Sequence, residues 1–126
     1  MTILKKLVFL ENDASEFGFR WQYPYQIMEQ IKSECAEITE HINDTDQSVA
    51  RDQLQEEIGD LLHAVFSLCI FYKLDPEITL EKCAAKFQRR LNALKQLVNE
   101  SGLSTLQNHT FDELKYFWDK AKQLVG

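Results

Sequence analysis

Cysteine, proline and glycine are all scarce in this chain of 126 residues, with three, two and four copies respectively. Cys35, Cys69 and Cys83 are odd in number, widely spaced and free of any Cys-x-x-Cys pair, which fits neither a disulfide framework nor a thiolate zinc site. Basic residues are in deficit as well. Fourteen Lys and Arg against twenty Asp and Glu leave a formal charge of -6 and a pI near 5.0, so a general nucleic-acid or membrane surface is excluded by repulsion. Any phosphate ligand then needs a cation or a local basic cluster. No long hydrophobic run is present: Leu61 to Tyr72 is about a dozen residues with His63 and Ser67 inside it, short of the ~20 that span a bilayer. The run Leu7 to Leu10 after Lys5 and Lys6 is too short for a signal peptide and lacks a cleavage site. A cytoplasmic, membrane-free protein is the expectation.

What is there is enough for one compact domain over residues 1–126, with 44% hydrophobic residues. The few prolines and glycines sit where helices start or stop, which predicts an all-α chain. Pro24 suits the first turn of a helix running to about Ile42, broken by the polar stretch Asn43 to Ser48. A second helix follows to about Tyr72. Asp75 and Pro76 cap and open a third that reaches about Glu100, ahead of Ser101 and Gly102, and Thr110 with Glu113 makes a capping box for a fourth. In the first twenty residues Leu4, Leu7, Val8 and Leu10 suit either a short helix or a strand.

Two acidic pairs stand out. At about 100° per residue, Ile27, Met28, Ile31, Cys35, Ile38 and Ile42 fall on one arc, and Glu34 and Glu37 lie roughly 70° and 130° to one side of it. On the next helix Leu54, Ile58, Leu61, Leu62, Val65 and Cys69 form the arc, and Glu57 and Asp60 flank it at similar offsets on the same side. Two antiparallel helices facing each other are related by a twofold axis perpendicular to their common plane, which keeps same-handed flanks together. Both pairs also lie equally far from Gln47, in a connection short enough for antiparallel neighbours, so the four carboxylates are predicted to converge. Clustered carboxylates repel unless a cation sits among them, and all-oxygen ligation selects a hard ion, Mg²⁺ or Mn²⁺. On geometry alone, a metal site and a charged helical surface both stay open. A di-iron bundle is disfavoured, because only Asp60 and His63 approximate the Glu-x-x-His spacing it requires on two helices.

Further on, Lys86 and Arg90 share a face of the third helix, as a phosphate site or as a solvated basic face. Trp118 and Lys122 repeat the spacing on the last helix, beside the apolar stripe of Leu114, Phe117, Ala121 and Leu124. His41, His63 and His109 fit no nucleophilic arrangement and are expected to be ordinary. Gly59, inside the second helix, points to close approach of a helix or ligand.

In order along the chain, Glu34-x-x-Glu37, Glu57-Ile58-Gly59-Asp60-Leu61-Leu62 and Lys86-Phe87-Gln88-Arg89-Arg90 resemble the MazG family of nucleoside triphosphate pyrophosphohydrolases. The resemblance extends from about Gly18 and Trp21 to Trp118-x-x-x-Lys122. It implies an antiparallel all-α bundle assembled as a homo-oligomer, Mg²⁺ dependence, and hydrolysis of a nucleoside triphosphate to the monophosphate and pyrophosphate. It further implies Glu34, Glu37, Glu57 and Asp60 as metal ligands and Lys86, Arg90, Trp118 and Lys122 as the nucleotide site. Glu37 and Glu56 are the candidates for the catalytic base. One departure is Gln53, where the family often carries a lysine; Arg51 points in another helical direction. A dUTPase-like or phosphoribosyl-ATP pyrophosphohydrolase-like enzyme and a non-enzymatic helical module are the competing readings.

Overall fold

A computed structural model describes residues 2–43 and 47–126. Five helices follow in order, α1 (Ile3–Phe17), α2 (Pro24–Asn43), α3 (Gln47–Phe71), α4 (Pro76–Glu100) and α5 (Phe111–Val125), and the described residues contain no strand. The all-α expectation holds. Of the polar break between the first two expected helices, residues 44–46 lie outside the described residues. The chain divides into two compact units, Met1–Thr79 and Leu80–Gly126.

The segment whose class was ambiguous is a helix with both ends fixed locally. Thr2 Oγ1 accepts from Lys5 N at 3.2 Å, and Gly18, at φ 104, closes the other end by donating to Ser15 O while Phe19 N donates to Ala14 O. Only a glycine takes that left-handed position without strain. Leu4, Leu7, Val8, Glu11, Ala14 and Ser15 are its half-buried residues, a helical stripe in which Glu11 occupies an apolar-type position. This helix packs on α3.

Pro24 opens α2 as expected, and Gln26 reaches back so that its Oε1 accepts from Gln22 N and Tyr23 N, both at 3.0 Å. That is half of a capping box, with the third helical residue satisfying donors ahead of the first turn. Helices α2 and α3 form the main packed pair of the first unit. The expected apolar arcs need correcting here. The inward residues of α2 are Ile27, Ile31, Glu34, Ile38 and His41, spaced four and three apart in alternation, with Ile27 wholly buried and Glu34 only 8% exposed. Met28, Cys35 and Ile42 face outward instead. On α3 the inward residues are Leu54, Glu57, Leu61, Ala64 and Leu68, and Ile58, Leu62 and Val65 are exposed. Each helix is rolled toward its acidic side by roughly 50–70° relative to its apolar arc. The arcs are wider than one neighbour covers, and the seam follows the 3.5-residue spacing of paired helices.

In α4, Asp75 Oδ1 accepts from Glu77 N at 2.8 Å and Ile78 N at 3.2 Å, with Pro76 buried in the first turn. The second unit contains the greater part of α4 and all of α5, which starts on Thr110, whose Oγ1 accepts from Glu113 N at 3.2 Å. Ala93, Val98 and Ala121 are buried there, and the Phe87 and Trp118 rings meet at 5.8 Å. No helix among the described residues is long and apolar enough to cross a membrane.

Candidate functional site

The α2–α3 pair brings the four sequence-selected carboxylates together in the first unit. Glu34 and Glu57 stand in the seam, and Glu37 and Asp60 lie one step outside it on the same side. Their mutual repulsion is visible on Glu37. Its carboxyl is pushed above its ordinary value of 4.5, first by the charge of Glu34, then by desolvation and by the charges of Glu57 and Asp60. Glu37 itself is exposed. Glu56, the other candidate base, is exposed on α3 and is not among the groups acting on Glu37.

The inner pair is poorly satisfied. Glu34 Oε1 accepts from Gln30 Nε2 at 2.7 Å, while Glu34 Oε2 is buried with no hydrogen-bond partner. Glu57 Oε2 is buried in the same condition. His41 Nδ1 lies 2.6 Å from it, a close contact that is not directed as a hydrogen bond. Buried carboxylate oxygens left without donors cost free energy, and natural folds keep few of them. As the side chains stand, no three His, Cys, Asp or Glu donors among the described residues close on one point.

Beside these acids opens a cleft of about 630 Å³. Helix α1 contributes Leu7, Leu10, Glu11 and Ala14 to its wall, and the 19–22 connection contributes Arg20, Trp21 and Gln22. The α2 side is Gln26, Gln30 and Glu34, and the α3 side runs from Asp60 through His63 and Ala64 to Ser67. The lining is mixed: apolar walls, amides, one cation and an acidic end. Gln26, by tying down the backbone of Gln22 and Tyr23, fixes the connection that carries Trp21 to the cleft.

Sequence reasoning missed several of these residues. Glu11 accepts on Oε1 from Ser67 Oγ at 2.6 Å and from His63 Nε2 at 2.7 Å. An ionised carboxylate is acceptor only, so His63 donates from Nε2. The signal was present in the Leu4, Leu7, Val8, Glu11 spacing, had α1 been read as a helix. The expectation of ordinary histidines also needs correcting, because His41, His63 and His109 each meet a carboxylate, respectively Glu57, Glu11 and Glu113. Pairings between residues far apart in sequence cannot be seen in a one-dimensional pattern. At Gly59 no helix approaches closely among the described residues, since a Cβ there would meet nothing within 4 Å.

In the second unit, Arg90 and Trp118 are brought together, with the guanidinium 6.0 Å from the indole centroid and Arg90 Nε donating to Gly126 O at 2.9 Å. Lys86 is exposed, and Lys122 Nζ lies 3.8 Å from Asp119 Oδ1 within its own helix. Phe87, Leu91, Leu94, Phe111 and Leu114 join Trp118 around a smaller apolar hollow of about 320 Å³.

Residues 22–94 match the model of the MazG nucleotide pyrophosphohydrolase domain. The chain is similar to the nucleoside triphosphate pyrophosphohydrolase/pyrophosphatase MazG of Thermotoga maritima, 34% identical over 115 residues that cover 90% of this chain and 41% of that protein. It is 25% identical over 114 residues to the nucleoside triphosphate pyrophosphohydrolase of Escherichia coli K12, covering 90% of this chain and 42% of that protein. A 70-residue stretch is 31% identical to the uncharacterized protein YabN of Bacillus subtilis. The chain thus spans about two-fifths of the length of the first two relatives.

Proposed function

Since that model covers well over half of it, the chain belongs to the MazG nucleotide pyrophosphohydrolase domain family, and we propose that it hydrolyses a nucleoside triphosphate, as ribo- or deoxynucleotide, to the monophosphate and pyrophosphate with Mg²⁺. The observation that carries the proposal is the placing of four carboxylates on one side of the α2–α3 pair, where Glu34 Oε2 is buried without a hydrogen-bond partner. Oxygens in that state are ready for a cation, and an all-oxygen set suits a hard one, with Mn²⁺ as substitute. Glu34, Glu37, Glu57 and Asp60 would hold it. Bound Mg²⁺ supplies the positive charge that offsets the triphosphate and makes a water more acidic.

The chain's own residues supply the rest. The cleft beside Glu34 and Asp60 seats the nucleotide with its phosphates at the acidic end and excludes bulk water along the Leu7, Leu10 and Ala64 walls. Water attacks a phosphorus of the α–β bridge, the bridging P–O bond breaks, and the water proton passes to a carboxylate. Glu37 and Glu56, both exposed, are the candidates for that proton. Lys86, Arg90, Trp118 and Lys122 are proposed, from the family resemblance alone, as nucleotide contacts. The outward apolar residues Met28 and Ile42 on α2 and Ile58, Leu62 and Val65 on α3 support self-association into a homo-oligomer.

The test is pyrophosphate release from a panel of ribo- and deoxynucleoside triphosphates and phosphoribosyl-ATP, with Mg²⁺ and with chelator. Glu57→Gln and Asp60→Asn should each abolish release while helical circular dichroism is retained. Full activity in both variants refutes the metal assignment, turnover of dUTP or phosphoribosyl-ATP alone moves the chain to another activity, and no turnover with no Mg²⁺-linked thermal shift leaves a non-enzymatic helical module.

A further inference from the structure

Among the described residues three carboxylates line the cleft, Glu34, Asp60 and Glu11, and the geometry of Glu11 is set by α3. Ser67, 3% exposed, and His63 both donate to Oε1, so that oxygen is saturated. Glu11 Oε2 takes no hydrogen bond from the described residues, and the side chain is 20% exposed. The carboxylate is therefore anchored through one oxygen and offers the other to whatever fills the cleft. His63 and Ser67 lie three and seven residues beyond Asp60, roughly 5–10 Å along the helix axis. That separation matches the reach of a nucleotide from its α-phosphate across the sugar to its base. The cleft near Glu11 has aliphatic walls in Leu7, Ala14 and Ala64 and an indole in Trp21, surfaces suited to the faces of a flat heteroaromatic ring.

We propose that Glu11, positioned by Ser67 and His63, reads the nucleobase and selects bases that carry an exocyclic amino group. The inference rests on the pyrophosphohydrolase reading, which sets the phosphates at the acidic end. An ionised carboxylate oxygen only accepts, so it rewards an N–H donor and repels a carbonyl placed at the same point. One free oxygen serves one donor group, as an amino group supplies. A site built to hydrogen-bond a substrate N–H rejects the analogue lacking it more strongly than an apolar pocket rejects a missing methylene.

The experiment uses pairs that differ only in the amino group: AMP against purine riboside monophosphate, and CMP against its 4-deamino pyrimidin-2-one analogue. Affinity is measured by calorimetry with Mg²⁺ present, and pyrophosphate release is measured on the matching triphosphates. The wild type is expected to favour the amino member of each pair by about tenfold or more. Glu11→Gln keeps a carbonyl for Ser67 and turns an amide NH₂ to the cleft, so the preference should vanish or invert. Ser67→Ala, which loosens the carboxylate, should lower the same ratio, and it serves as the second variant should the first fail to fold. Equal affinity within the wild-type pairs, or a ratio unchanged in both variants, overturns the proposal. So does a change confined to ribose against deoxyribose, which would place the sugar at Glu11. Absence of pyrophosphate from every triphosphate is the failure of the parent reading alone, and the monophosphate affinities still decide the base assignment.

Discussion

Glu34→Gln should make the metal-free protein more stable and the Mg²⁺-treated protein less stable than the wild type, so that the two melting curves exchange order. Glu34 is 8% exposed, its Oε1 is bonded to Gln30, and its Oε2 is buried without a partner. An unsatisfied buried polar atom costs about 1–3 kcal/mol. The amide removes the charge and the repulsion while keeping the shape and an acceptor for Gln30. At this chain length each kcal/mol moves Tm by about 3–5 °C, so chelated Glu34→Gln should melt roughly 3–15 °C above chelated wild type. Saturating cation reverses this, since a ligand at a hundred times its Kd adds about 2.7 kcal/mol to the wild type. The same substitution reports on pH. Glu37 has its folded pKa raised above the ordinary 4.5, mainly by Glu34, so the folded state holds its proton more tightly than the unfolded chain. The corresponding stability is complete below that ordinary value and is lost as pH rises through the raised one. Chelated wild type should thus lose stability as pH climbs from about 4.5 toward neutrality, and Glu34→Gln should flatten the loss. Differential scanning calorimetry at several pH values, with chelator and with excess Mg²⁺, gives all four comparisons. A Glu34→Gln protein that melts below wild type in chelator refutes the reasoning, as does one that keeps the full Mg²⁺ shift.

Three further outcomes follow from the packing and local electrostatics. Ile27→Ala opens a cavity at a fully buried seam position and should cost about 2–5 kcal/mol in chemical denaturation, whereas Ile42→Ala, 62% exposed, should cost far less in a monomer. Gly59→Ala should gain about 1 kcal/mol of stability at concentrations that keep the chain monomeric, because its Cβ meets nothing within 4 Å; a destabilisation that appears only in the assembled form would show that a second copy approaches there. Glu113 has its pKa lowered, first by its hydrogen bond from His109 and then by Thr110, so NMR titration should find it below 4.5 and rising in His109→Ala. For that group the sign is opposite to Glu37: its stabilising contribution is present above the ordinary value and lost as pH falls through the lowered one.

Helix ends were legible because they depend on neighbours in sequence. Pro24, Asp75 with Pro76 and Thr110 with Glu113 all stand where local rules place them. The first helix was not legible, since its Leu4, Leu7, Val8 stripe is continued by an acid, Glu11, whose burial depends on Ser67 more than fifty residues later. The same blindness explains the rolled seam. An apolar arc is centred where hydrophobic residues are densest, which assumes that a helix buries what it most gains from burying.

Helices α2 and α3 depart from that rule together and in the same sense. Had each buried its densest apolar face, Ile58 and Leu62 would lie inside and Glu34 and Glu57 would border solvent, where water would satisfy them at little cost. Instead both acids occupy seam positions while those apolar side chains stay 42% and 50% exposed. In the chain by itself this exchange leaves apolar surface exposed and carboxylate oxygens buried, and both cost free energy. Under the proposed function it would become favourable, with a cation at the buried carboxylate oxygens and another surface over the outward stripe. On that proposed reading, the roll of the helix pair trades stability of the isolated chain for a site.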